Sequence, residues 1–312
     1  MIRILLLAVT LLSAALTPIA SAQGVENAHA ARAIEIIEIM NEANGLTPTL
    51  PVPKDPEAYA AALNAIVEGM RADRTRLEDL LARLHALPEL PHGDDPQLHF
   101  ETTTLQNAAI DVIGAVISIG YDLEAFEAAF HSGDDAQFEA AQVRLRNGVL
   151  VSLESLVTTL RGLKVATAWG NRAEMAKIEC VALVVENLLG LTRYRLGMAE
   201  MPEAGEQMKA SAAAILDEVR IARSELEMDA RTFGDDPLNP ATSLVQANRV
   251  EWRMLEVTEQ FANTGLALGD RMANKQATRA EIETGYGVLR GQMSEIQGLY
   301  VEASTLAARE FQ

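Results

Sequence analysis

Hydrophobic positions along this chain return every three or four residues almost from end to end. Leu63, Ile66, Met70, Leu77, Leu80, Leu84 and Leu87 keep that spacing, with Asp73 as the one polar break. Leu105, Ala109, Val112, Val116, Ile119, Leu123, Phe126 and Phe130 hold it over the next long segment. Ile215, Val219, Ala222, Leu226 and Phe233 follow the same rule, as do Ala247, Val250, Met254, Val257, Phe261 and Leu268. A repeat near 3.5 residues puts these side chains on one stripe of a helix, which suits long helices packed at shallow angles. No segment alternates with period two, so the sequence predicts no strand.

Turn chemistry cuts the pattern into eight helices. The breaks fall at Pro48 to Pro53, Pro88 and Pro91, Ser132-Gly133, Trp169-Gly170 and Pro237 to Pro240. The helices are expected near 25–44, 56–87, 97–131, 135–166, 171–199, 203–233, 241–273 and 277–310. Short links between long helices favour antiparallel neighbours. The predicted fold class is therefore all-α.

The second half also echoes the first. Asn27, Ile34, Glu35 and Gly45-Leu46-Thr47 return as Asn171, Ile178, Glu179 and Gly190-Leu191-Thr192. Pro56-Glu57-Ala58 returns as Pro202-Glu203-Ala204, Gly93-Asp94-Asp95-Pro96 as Gly234-Asp235-Asp236-Pro237, and Gly148-Val149-Leu150 as Gly287-Val288-Leu289. The order is kept, and the offset stays between 139 and 146 residues. This reads as a tandem duplication of a four-helix antiparallel unit, covering 24–168 and 169–312.

Residues 1–22 read as a secretory signal. Arg3 supplies the positive n-region, Ile4 to Leu16 the apolar run, and Ala20-Ser21-Ala22 the cleavage site. The apolar run of 13 residues is short of the roughly 20 needed to span a bilayer. The expected product is an exported soluble protein, periplasmic or secreted, with no membrane span after signal cleavage. Cys180 is the one cysteine, so no intramolecular disulfide can form and the core alone must hold the chain together. Between Ile178 and Val181, Cys180 reads as a small buried hydrophobe. The formal net charge of −18 disfavours a nucleic-acid partner, which needs a basic face.

The chain offers little catalytic chemistry. It contains no G-x-S-x-G, no H-E-x-x-H and no phosphate-binding loop. The Gly-Asp-Asp-Pro pair reads as helix starts: Asp95 and Asp236 as N-caps, Pro96 and Pro237 at the first helical position. A carboxylate-bridged metal pair in a bundle needs two Glu-x-x-His motifs plus two further glutamates. Here Glu26/His29 and Glu89/His92 are the pairs, the second in a proline-broken loop. All five histidines (29, 85, 92, 99 and 131) fall in the first half. Neither a cofactor nor a metal is expected.

Polar residues on the seams carry two readings. Gln106 and Asn107 correspond to Gln246 and Asn248, while Asp73 and Asp229 interrupt apolar stripes. Such groups fix the register between helices, or else they line a polar pocket. In the second case Gln106 and Gln246 join Arg193 and Tyr194, whose cluster with Arg195 beside Gly190 could hold a small anion.

An exported duplication of a four-helix unit resembles imelysin-like periplasmic proteins in architecture alone. No histidine here stands in the Gly-x-His-x-x-Glu signature of that family, so no residue is carried over. The expected function is a non-enzymatic interaction or scaffold module that binds a protein partner or self-associates. A small-molecule-binding, sensor-like protein is the alternative, and a metal-dependent helical enzyme comes third.

Overall fold

The computed structural model describes residues 28–46, 56–90, 96–166, 172–233 and 243–309. Among them are eight helices and no strand: α1 (Ala28–Gly45), α2 (Pro56–Ala86), α3 (Pro96–Ser132), α4 (Asp135–Ala166), α5 (Arg172–Arg195), α6 (Met201–Phe233), α7 (Ser243–Ala273) and α8 (Arg279–Arg309). The all-α class and the eight-helix division are those the hydrophobic spacing predicts. The expected signal segment lies outside the described residues. No described helix is long and apolar enough to cross a membrane.

Local chemistry sets the helix ends. Pro56 and Pro96 open α2 and α3, where a missing N–H has no partner to lose. The Asp134 carboxylate caps α4 by accepting from the amides of Ala136 (2.9 Å) and Gln137 (3.1 Å). Gly133-Asp134-Asp135 is thus a helix start. At α8, Thr278 and Glu281 form a reciprocal capping box: the Thr278 amide donates to Glu281 at 2.8 Å, and the Glu281 amide donates back to Thr278 Oγ1 at 3.3 Å. Helix α5 ends at Arg195, short of the expected residue 199. Gly197, at φ 72°, turns the chain there. Its amide donates to the Tyr194 carbonyl and that of Met198 to the Arg193 carbonyl, both at 2.9 Å.

Each helix packs against the next. Ion pairs fix the sense of several pairings. Glu42, late in α1, meets Arg76 and Arg83 of α2, while Arg32, early in α1, reaches the Pro88 carbonyl beyond the end of α2. These two helices therefore run antiparallel.

The centre of the molecule is α5. From Ala176 to Thr192 every residue except Glu179 and Glu186 is buried. A helix apolar on all sides is a core helix. It packs against α4 and α6, with lighter contact to α7 and α8. One continuous apolar core results, reaching from Ile36 in α1 to Tyr300 in α8. The sequence-equivalent helices are not equivalent in packing: α1 lies chiefly on α3, whereas α5 lies chiefly on α6. Paired residues also differ in environment. Glu35 is exposed and Glu179 half-buried; Gly148 abuts Asp122, whereas Gly287 faces open space.

Candidate functional site

The four residues proposed to line a pocket are parted by the fold. Gln106, on α3, is spent on a three-helix lock. Its amide nitrogen donates to the Leu84 carbonyl of α2 at 2.8 Å, and its oxygen accepts from Arg32 of α1 at 3.0 Å. Arg32 is itself buried and donates to the Pro88 carbonyl at 2.7 Å. The register-fixing reading of a seam glutamine therefore holds for Gln106. Gln246, in the first turn of α7, is exposed.

Arg193 and Tyr194 stand at the far end of the bundle from Gln246. Arg271, in the last turn of α7, lies roughly 37 Å from Gln246 at 1.5 Å per residue. It pairs at 2.8 Å with Glu281 of α8, two residues before the Glu283 that holds Arg195. Arg193 pairs with Glu154 of α4. Arg195 donates twice to Glu283, at 3.1 and 2.8 Å, and lies 3.9 Å over the Tyr286 ring. Both guanidinium groups are engaged with carboxylates, and Tyr194 packs against the core. The cluster ties α5 to α4 and α8, which accounts for its cationic-aromatic composition without an anion.

A second buried polar lock went unnoticed in the sequence. Asn187 of α5 is fully buried and donates to the Met208 carbonyl at 2.7 Å and to Ser211 Oγ at 2.9 Å, both on α6. On its other side stands Gly265 of α7, where an added Cβ would come within 3.0 Å of the Asn187 amide. The facing glycine gives this asparagine its room. A polar residue in an apolar run was visible at Asn187, but its partners lie on two other helices.

Among the described residues no group of three or more His, Cys, Asp or Glu could hold a metal ion. Of the two Glu-x-x-His pairs, Glu26 and His92 lie outside the described residues. An apolar cavity between α5, α7 and α8 measures about 10 Å³, room for a single water and too small for an organic ligand.

The remaining feature of functional kind is a surface. On α8, the core-facing residues are Ile282, Tyr286, Leu289, Met293 and Ile296. On the opposite side Thr284, Gly287, Gly291, Ser294 and Gly298 form a stripe of small residues at alternating steps of three and four. All five are exposed, with Val288 beside them at 46% exposure. A Cβ added to Gly287, Gly291 or Gly298 would meet nothing within 4 Å. Small residues in this spacing let another helix approach closely, so the outer face of α8 is the candidate site.

Among the described residues these features define the class: an all-α array of eight long helices built around one central helix, with Arg32, Gln106 and Asn187 bonding across helices. No protein family, curated protein or solved structure matches the chain.

Proposed function

We propose that this protein is an exported, non-enzymatic helical interaction module, and that the outer face of α8 receives a helix from a protein partner or from a second copy. The observation that carries this reading is the exposed stripe Thr284, Gly287, Gly291, Ser294 and Gly298, which no other part of the described chain covers. Elsewhere the same chain uses glycine for close helix packing, at Gly205 and Gly269. Glycine inside a helix costs about 1 kcal/mol relative to alanine. Three of them on one exposed face therefore lower the stability of the isolated chain, and a docked helix offsets that loss. Export rests on the leader-like residues 1–22.

The test is native mass spectrometry on protein taken from its own exported fraction, together with light scattering over a concentration series. The expected result is a chain beginning near Gln23 that forms an oligomer or retains a protein partner. Replacing Gly291 by Leu should abolish that assembly while leaving the helical content unchanged. A chain that stays monomeric at all concentrations and recovers no crosslinked partner would overturn the reading.

A further inference from the structure

Helix α4 packs on α3 and α5 and keeps its outer face open. On that face Ala140, Val143, Asn147, Val151 and Glu154 follow one another at steps of three, four, four and three residues. Ala136 and Thr158 extend the series by a step of four at either end. All seven are exposed. Val151, at 63%, is the most exposed large apolar side chain among the described residues. Steps of this kind draw one stripe along a helix, here about 33 Å long at 1.5 Å per residue.

The series reads the same from either end, with Asn147 at its centre. Two such stripes therefore fit each other when the helices run antiparallel. Val143 then faces Val151 of the other copy, Ala140 faces Glu154, and Asn147 faces its own counterpart across a two-fold axis. An asparagine so placed in an apolar seam fixes register. Charge points to the same occupant. The chain carries a formal net charge of −18, so two copies repel over most of their surface. Within α4, however, four basic residues (144, 146, 161 and 164) outnumber three acidic ones (135, 139 and 154). Helical side chains lean toward the N-terminus of their own helix, so Arg144 of one copy and Glu154 of the other lean toward each other. Inside one chain Arg144 holds Asp122 and Glu154 holds Arg193, yet Arg144 stays 67% exposed and Glu154 47%. Their meeting joins Asp122, Arg144, Glu154 and Arg193 into a row of alternating sign, made twice by symmetry.

We propose that two copies of this chain pair through the outer faces of α4, antiparallel about Asn147. A contact of one helix pair lies at the small end of specific interfaces, under about 1,200 Å² in total, so the dimer is weak and reversible. The pairing is separate from the interaction reading of α8 and uses no residue of that helix.

The test is thiol linking in the full chain, with oxidised glutathione as the oxidant. Asn147→Cys should join two copies by a disulfide, faster as the concentration rises from about 1 to 100 micromolar. The native Cys180 is buried and does not compete. Val143→Cys mixed with Val151→Cys should give the mixed pair. Either variant alone should link little, its two thiols standing about 12 Å apart along the axis. Thr75→Cys, exposed on α2, measures random collision. Asn147→Asp sets two carboxylates face to face and should weaken the dimer at least about tenfold in sedimentation, with unchanged circular dichroism. Linking at Asn147→Cys no faster than at Thr75→Cys would overturn the proposal. So would self-linking of Val143→Cys as fast as the mixed pair, since that result means parallel helices. The thiol link reports on α4 alone, so its failure is distinct from failure of the α8 reading.

Discussion

Gly205 of α6 and Gly269 of α7 bring two helix backbones into direct contact. A Cβ placed on Gly205 would lie 2.6 Å from the Gly269 carbonyl oxygen and 2.3 Å from the Ala273 amide nitrogen. Both obstacles are backbone, so no side-chain rotation relieves them. Gly205→Ala must push α6 and α7 apart and disturb the Asn187 lock beside them. The expected loss is about 3 kcal/mol, at the upper end of overpacking penalties, read by denaturant unfolding.

The outward glycines of α8 should respond in the opposite direction. Gly287→Ala, Gly291→Ala and Gly298→Ala meet no neighbour and keep ordinary helical φ. Each should raise the stability of the isolated chain by about 0.5–1 kcal/mol, because alanine loses less backbone entropy than glycine on folding. Thermal melts of the single variants check this. If the stripe is a docking face, the triple variant should be more stable as a monomer and weaker in assembly.

Asn187 is a polar residue whose value depends on its partners. Asn187→Ala removes the bonds to Met208 and Ser211 and opens a void next to Gly265. The cost should be about 1–3 kcal/mol. In a double-mutant cycle, part of that cost should vanish in the Ser211→Ala background, showing that the two side chains are coupled.

Lys275 closes α7 in the left-handed region, at φ 57°. Its amide donates to the Met272 carbonyl at 3.0 Å and that of Gln276 to the Arg271 carbonyl at 2.7 Å, the arrangement that normally places glycine at this position. Lys275→Gly should therefore stabilise the protein by about 1 kcal/mol. A lower thermal midpoint for this variant would contradict the argument.

The capping box on α8 predicts a pH effect. Hydrogen bonds from Thr278, first the amide and then the hydroxyl, hold the Glu281 carboxyl below its ordinary value of 4.5, with help from Arg271. A carboxyl lowered on folding stabilises the native state above its unfolded pKa and loses that contribution as pH falls through the folded value. The melting difference between the unaltered protein and Glu281→Ala should thus be constant near neutrality and shrink below about pH 4.5. A difference that stays flat down to pH 3 would remove the charge from the account.

The helices were legible because their signals are local. Pro56, Pro96 and the Ser132-Gly133 break announced helix starts at or just after those positions, and the apolar stripes told which faces turn inward. The one clear displacement, at the end of α5, came from Gly197, whose capping turn closes the helix before Met198. The candidate site was much less legible. The spacing of Gly287, Gly291 and Gly298 stood in the sequence, yet glycines at Gly205 and Gly269 look no different and serve as internal contacts. Gln106 and Gln246 made the same point for polar residues: one is locked between three helices, and its counterpart faces solvent.

What the sequence by itself determined is the set of helices, most of their ends and their inward faces, because a period of three to four residues and a capping residue act within a turn or two. Tertiary structure alone decided that α5 would be the shared centre, that two of the glycine positions would touch, and that Asn187 would meet Ser211 and Gly265. Those relationships join residues far apart in the chain. They follow from how volumes fit when eight helices share one core, and no stretch of sequence carries that information alone.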